Sequence, residues 1–109
     1  MIEIKVDRNE NGKIDAFSMS GHAESGPYGY DLVCAGASAV SFGAVNAVDE
    51  VCGVDLDVEL ADEGGWLFCR VPRGLAKQTG REVQLLLEGM LISLQTIAEQ
   101  YGDYIHISD

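Results

Sequence analysis

Polar and apolar residues alternate from the second position onward. Ile2, Ile4 and Val6 share one parity and Glu3, Lys5 and Asp7 the other, the period-two pattern of a half-buried strand. Asn9-Glu10-Asn11-Gly12 is a turn signal whose Asn-Gly step favours a hairpin, so Ile14 to Ser20 reads as the return strand. The pattern then lapses. Gly21 to Asp31 holds Gly21, Gly26, Gly29 and Pro27 and reads as a loop. A helix is expected from about Leu32 to Val51, closed by Gly53. Alternation returns at Val54, Leu56, Val58 and Leu60, against Asp55, Asp57 and Glu59, which predicts a strand over 54–60 with a solvated acidic face. Asp62-Glu63-Gly64-Gly65 is a turn, Trp66 to Val71 its hairpin partner, and Pro72 and Gly74 break the chain again.

Val83, Leu86, Leu87, Met90, Leu91, Leu94, Ile97, Ala98 and Tyr101 recur at helical spacing. They predict a second helix from near Gly80 to Tyr101, its stripe facing a core. Tyr104 to Ile107 reads as a short final strand, with His106 on the surface parity. The order strand-strand-helix, strand-strand-helix, strand is that of an α+β fold: two β-hairpin–helix units plus a short final strand, with the helices packed on a largely antiparallel sheet. The chain of 109 residues reads as one domain, 1–109, long enough for a hydrophobic core without disulfide staples.

The first helix is small and apolar almost all round, with Ala35, Gly36, Ala37, Ala39, Gly43, Ala44 and Ala47. Such a helix expects neighbours on more than one side, either the second helix or another subunit, and a homodimer is the expectation here. Leu32 to Val48 carries no charge, but it is Gly/Ser/Ala-rich, contains Asn46 and falls short of the roughly 20 apolar residues of a span, so it reads as a buried helix. The N-terminus alternates and has no apolar signal core.

Seven basic against eighteen acidic residues, a net charge of −11, argue against a phosphate-binding or anionic membrane surface. No direct nucleic-acid contact and no membrane association are therefore expected. The three cysteines, Cys34, Cys52 and Cys69, form no CxxC pair, and an odd number fits reduced thiols in a cytoplasmic protein. A metal at His22 and Cys34 would need two more ligands that the spacing does not supply, so no metal site is expected there.

One segment can carry chemistry: Ser20-Gly21-His22-Ala23 and, after the loop, Asp31-Leu32-Val33-Cys34-Ala35 with Ser38 beyond. Asp31 is a good N-cap, which puts Cys34 in the first helical turn, near free amides and the positive end of the dipole. His22 ends the preceding strand. A histidine base beside a cysteine nucleophile is the minimal pair for covalent catalysis. The Asp31 carboxylate opposes thiolate formation, and the balance depends on distances. First-turn amides can act as an oxyanion hole. Ser38 lies one turn after Cys34 on the same face, and the glycines with Tyr28 and Tyr30 have the makings of a lid. Against this stand plain readings: Cys34 a small buried hydrophobe, His22 an exposed strand end, Asp31 only a cap, Ser38 a packing residue. Cys52 and Cys69 are assigned to packing.

Gly21-His22-Ala23, the glycine loop, Asp31-Leu32-Val33-Cys34-Ala35 and Ser38 resemble the signature of the ribosomal-processing cysteine protease family, Prp. Length, layout and the acidic second hairpin extend the likeness over essentially the whole chain. Pro27-Tyr28 and Gly36-Ala37 depart from the family's pattern. The resemblance implies a cysteine endopeptidase, without metal or organic cofactor, that removes the N-terminal extension of a basic large-subunit ribosomal protein, number twenty-seven, after an aromatic residue. It implies Cys34 as nucleophile and His22 as general base, with Asp31 and Ser38 supporting the site. Gly21, Gly26, Tyr28, Gly29 and Tyr30 would belong to the substrate loop, and the protein would be a small α+β homodimer. Two other readings fit the same residues: a non-enzymatic ribosome-associated binding module, and a thiol redox sensor at Cys34.

Overall fold

The computed structural model describes residues 1–23, 26, 31–62 and 64–109. Seven elements follow in order: β1 (Ile2–Arg8), β2 (Ile14–Ser20), α1 (Leu32–Cys52), β3 (Asp57–Leu60), β4 (Trp66–Arg70), α2 (Lys77–Gln100) and β5 (Ile105–Ser108). The strands form one sheet in the order β3-β4-β2-β1-β5. Each neighbouring pair is antiparallel except β1–β5, which is parallel. The expected α+β fold with two helices on a largely antiparallel sheet is therefore present.

Alternation decides which face the helices cover. Ile2, Ile4 and Val6 share a face with Phe17 and Met19, which sit opposite Val6 and Ile4. Phe17 and Met19 in turn face Cys69 and Leu67 across β4. With Ile105 and helix residues such as Val33, Ala37, Leu87 and Leu94, they make one core cluster. The opposite parity carries Lys5, Ser18 and Phe68, and there Trp66 and Phe68 stack with ring centroids 6.2 Å apart.

Three expectations need correction. The strand foreseen over 54–60 is only Asp57–Leu60. Val54 and Leu56 do point into the core, but β4 has no backbone left to pair with them. After Arg70 the chain leaves β3: Val71 donates to Asp15 O at 2.8 Å, and Pro72 has no N–H. Next, α2 begins at Lys77, before Gly80, because its polar first turn lies ahead of the apolar stripe and Ala76 gives no side-chain cap. Finally, α1 is not buried all round. Val33, Ala37, Ser41 and Val48 form its buried stripe, while Leu32, Phe42 and Val51 are exposed. By length and composition α1 could cross a membrane; here its buried stripe joins the core cluster.

Two ends of the fold are clasped. The Arg8 guanidinium donates to Asp109 Oδ1 at 2.8 Å and Oδ2 at 3.0 Å, to Glu88 Oε1 at 2.8 Å and to Gly12 O at 2.8 Å. This joins β1, α2 and the chain end. The Gln84 amide does similar work at the start of β2, donating to Ile14 O and accepting from Ile14 N, both at 2.8 Å.

Candidate active site

Ser20 is the last residue of β2 and pairs with Glu3 on one side and Trp66 on the other. The next residue must turn away under Met1. Gly21 does so at φ +87°, a region closed to most side chains, and a Cβ there would collide with the Met1 carbonyl oxygen. Its N–H donates to Gly65 O at 2.8 Å, prolonging the contact between β2 and the second hairpin by one residue. His22 follows and is delivered beside the Gly64-Gly65 turn. Gly65, at φ +77°, has no side chain to fill the space: a Cβ there would lie 2.9 Å from His22 Nε2.

The other half of the site comes from α1. Asp31 sits outside the helix with extended backbone (φ −78°, ψ 99°), and its carboxylate accepts the N–H of Cys34 at 3.0 Å. The expected cap is thus formed, and it sets Cys34 in the first turn. The same bond narrows one expectation: of the first-turn amides, Cys34's own is engaged by Asp31 and is not a free oxyanion donor. At the far end Gly53 closes α1 at φ 66°, donating to Asp49 O.

These two pieces meet. Gly21, His22, Cys34 and Ser38 line one cleft of about 380 Å³. Cys34 is half-buried and packs against the core, whereas His22 is exposed. Among the described residues no hydrogen bond links the Cys34 thiol to the imidazole. Behind them, Met19 also lines the cleft and receives the Ser41 hydroxyl at 3.8 Å from its sulfur. Ala23, next to His22, is buried and anchors the chain after it. Of the expected substrate loop, Gly21 lines the cleft and Gly26 is half-buried, while Tyr28, Gly29 and Tyr30 lie outside the described residues.

The sequence reading missed one wall. Leu60, Asp62, Gly65 and Trp66, from β3, β4 and their turn, line the same cleft as His22 and Cys34. They lie in a hairpin that reads only as a hairpin. The signal that places them is the β2–β4 pairing, and that register is tertiary.

The remaining thiols differ in kind from Cys34. Cys69 is buried on β4, and burial pushes its thiol up to about 12. Cys52 packs partly buried against the core, and all three cysteines are free. His106 lies on the surface, where its Nδ1 meets Glu3 at 3.1 Å.

Residues 1–106 match the family model described as cysteine protease Prp. The ribosomal processing cysteine protease Prp of Bacillus subtilis (strain 168) is 39% identical over 108 residues, covering 99% of this chain and 96% of the relative. That of Staphylococcus aureus (strain Mu50) is 42% identical, covering 99% and 98%. The crystal structure of the essential S. aureus protease Prp with a covalently linked product peptide superposes with a TM-score of 0.90 at 42% identity, again covering 99% and 98%. The same enzyme with a substrate peptide gives a TM-score of 0.84 at 41% identity, covering 99% and 98%. The fold, the length and the cleft at the start of α1 agree with one conclusion: this chain belongs to the Prp family of cysteine proteases.

Proposed function

We propose that this protease, acting as a single domain over residues 1–109, removes the N-terminal extension of large-subunit ribosomal protein number twenty-seven, cutting after an aromatic residue with Cys34 as nucleophile and His22 as general base. One observation carries the reading: two residues of the right chemistry, from different elements, line the same cleft together with Ser38. The family's solved complexes with substrate and covalently linked product peptides support a peptide in such a cleft.

In this mechanism the Cys34 thiol passes its proton to His22 as the sulfur attacks the scissile carbonyl carbon. The tetrahedral intermediate collapses, its C–N bond breaks, and His22 protonates the leaving amine. Water, deprotonated by His22, then attacks the thioester, releasing the carboxylate product and restoring the thiol. Asp31 fixes Cys34 through its backbone, and Ser38, one turn on, faces the same space. The apolar wall of Leu60 and Trp66 suits an aromatic residue before the cut. Tyr28, Gly29 and Tyr30 complete the substrate loop in this reading.

The charge distribution fits a basic substrate. Lys13, Arg73, Lys77 and Arg81, four of the seven basic residues, border a separate cleft between β2 and the start of α2. Among the described residues no Lys or Arg lines the cleft of His22 and Cys34, whereas Asp62 does. The exposed Leu32 and Val51 of α1 and Leu85 and Ile92 of α2 support a homodimer, and free thiols support a cytoplasmic location. Incubating the protein with the extended ribosomal protein tests the function. Release of the extension, ending in an aromatic residue, is expected. Tight binding with no product would favour the binding-module reading instead.

A further inference from the structure

We propose that Gly65, in the turn of the second hairpin, is a positioning residue for His22: its bare Cα leaves the space in which the imidazole rests. The proposal rests on the reading of His22 as the general base.

Three observations meet at this residue. The first is steric. A Cβ at Gly65 would find its three nearest neighbours all in one ring, His22 Nε2 at 2.9 Å, Cε1 at 3.5 Å and Cδ2 at 3.7 Å. The contact with Nε2 is closer than a carbon and a ring nitrogen tolerate, and the imidazole is the mobile party. The second is the backbone. Gly65 O accepts the N–H of Gly21 at 2.8 Å, so the wall behind the ring is tied to the segment that carries the ring. The third is placement. Gly65 and His22 line the same cleft as Cys34, so displacing the ring changes its approach to the sulfur.

The second hairpin therefore does more than close the sheet. β4 pairs with β2 so that Trp66 stands beside Ser20, and this register puts the turn of β3–β4 one residue further on, against His22. A base that must take a proton from a thiol and later give it to an amine works only in a narrow range of positions; a misplacement of about 1 Å costs on the order of a hundredfold in rate. Fixing the imidazole between its own strand end and the neighbouring turn limits it to that range.

The test compares three variants of the full chain on a synthetic peptide spanning the extension and cut site. Gly65→Ala brings both the left-handed backbone penalty and the new contact. Gly65→Asn brings the contact with less penalty, since Asn tolerates positive φ. Gly74→Ala, at φ +79° in open space away from the cleft, brings the penalty alone. The expected result is a fall in kcat of about ten- to a hundredfold for both Gly65 variants, with KM changed less than about threefold. The pH limbs of kcat/KM should move in the Gly65 variants and stay in Gly74→Ala, which keeps wild-type kcat. Wild-type kcat in Gly65→Asn would overturn the proposal, as would equal losses in all three variants. His22→Ala separates the two levels: full activity there defeats the catalytic reading itself, while an inactive His22→Ala beside an active Gly65→Asn defeats only the positioning role.

Discussion

The Asp31 carboxylate accepts the backbone N–H of Cys34 at 3.0 Å. One bond thus starts a helix of 21 residues and sets the nucleophile's position in its first turn. It also puts a carboxylate one hydrogen bond from the backbone of the residue whose sulfur, in the proposed mechanism, must become negative. The two effects separate by substitution. Asp31→Ala removes the acceptor and should cost about 1 kcal/mol of stability, whereas Asp31→Asn keeps an acceptor and should cost only a few tenths. Urea unfolding of the two variants measures this. Asn also removes the charge, so Cys34 in Asp31→Asn should be alkylated faster than wild type at pH 7; an unchanged rate would remove the electrostatic part of the argument.

The Arg8 clasp has a sign in pH. Its guanidinium holds the Asp109 carboxyl below its ordinary value of 3.8, and the two carboxylates hold Arg8 charged. A depressed carboxylate contributes stability that is complete above its unfolded value and is lost as pH falls through the lower folded one. Asp109→Asn should therefore be less stable than wild type at pH 7, by about 1 kcal/mol for a partly exposed bidentate pair. The gap should close on acidification below 3.8. Unfolding midpoints across this range check it, and a gap that persists or widens in acid contradicts it.

Cys69 should behave as an inert thiol. With a value near 12, its side chain buried in the core and its strand paired on both sides by β2 and β3, about one molecule in ten thousand holds it as thiolate at pH 8. An alkylating reagent should label Cys34 in the folded protein and reach Cys69 only on unfolding. Peptide mapping after a short pulse gives the result; native labelling of Cys69 would mean that β4 opens without global unfolding.

If the net charge of −11 steers a basic substrate to the cleft, kcat/KM should fall with added salt. A loss on the order of tenfold between dilute buffer and about 0.3 M salt is expected, with kcat little changed. A salt-independent kcat/KM would leave the charge without a part in encounter.

Much of this was legible in the chain. The alternation of Ile2 to Val6 and the stripe from Val83 to Tyr101 report burial directly, and β1 and α2 follow from them. Asp31, Cys34 and Ser38 were readable because a cap and a helical turn are local geometry. What was hidden is whatever depends on which strands pair. Val54 and Leu56 alternate like a strand and point inward like one, but the β3–β4 register begins only at Asp57, and the Val54 N–H donates instead to Val48 O at the end of α1. Gly65 reads as a turn residue, and only the pairing of Ser20 with Trp66 brings it to His22.

The central claim is that the sulfur of Cys34 carries the cleaved peptide. Rapid mixing with the extended peptide, an acid quench and mass spectrometry of the digested enzyme test it most directly. The account predicts a thioester adduct on the fragment holding Cys34, with the mass of the extension ending in its aromatic residue. It should be absent from Cys34→Ala, which releases no product, and slow to form in His22→Ala. Product release by Cys34→Ala, or an adduct on Cys52 or Cys69, would contradict it.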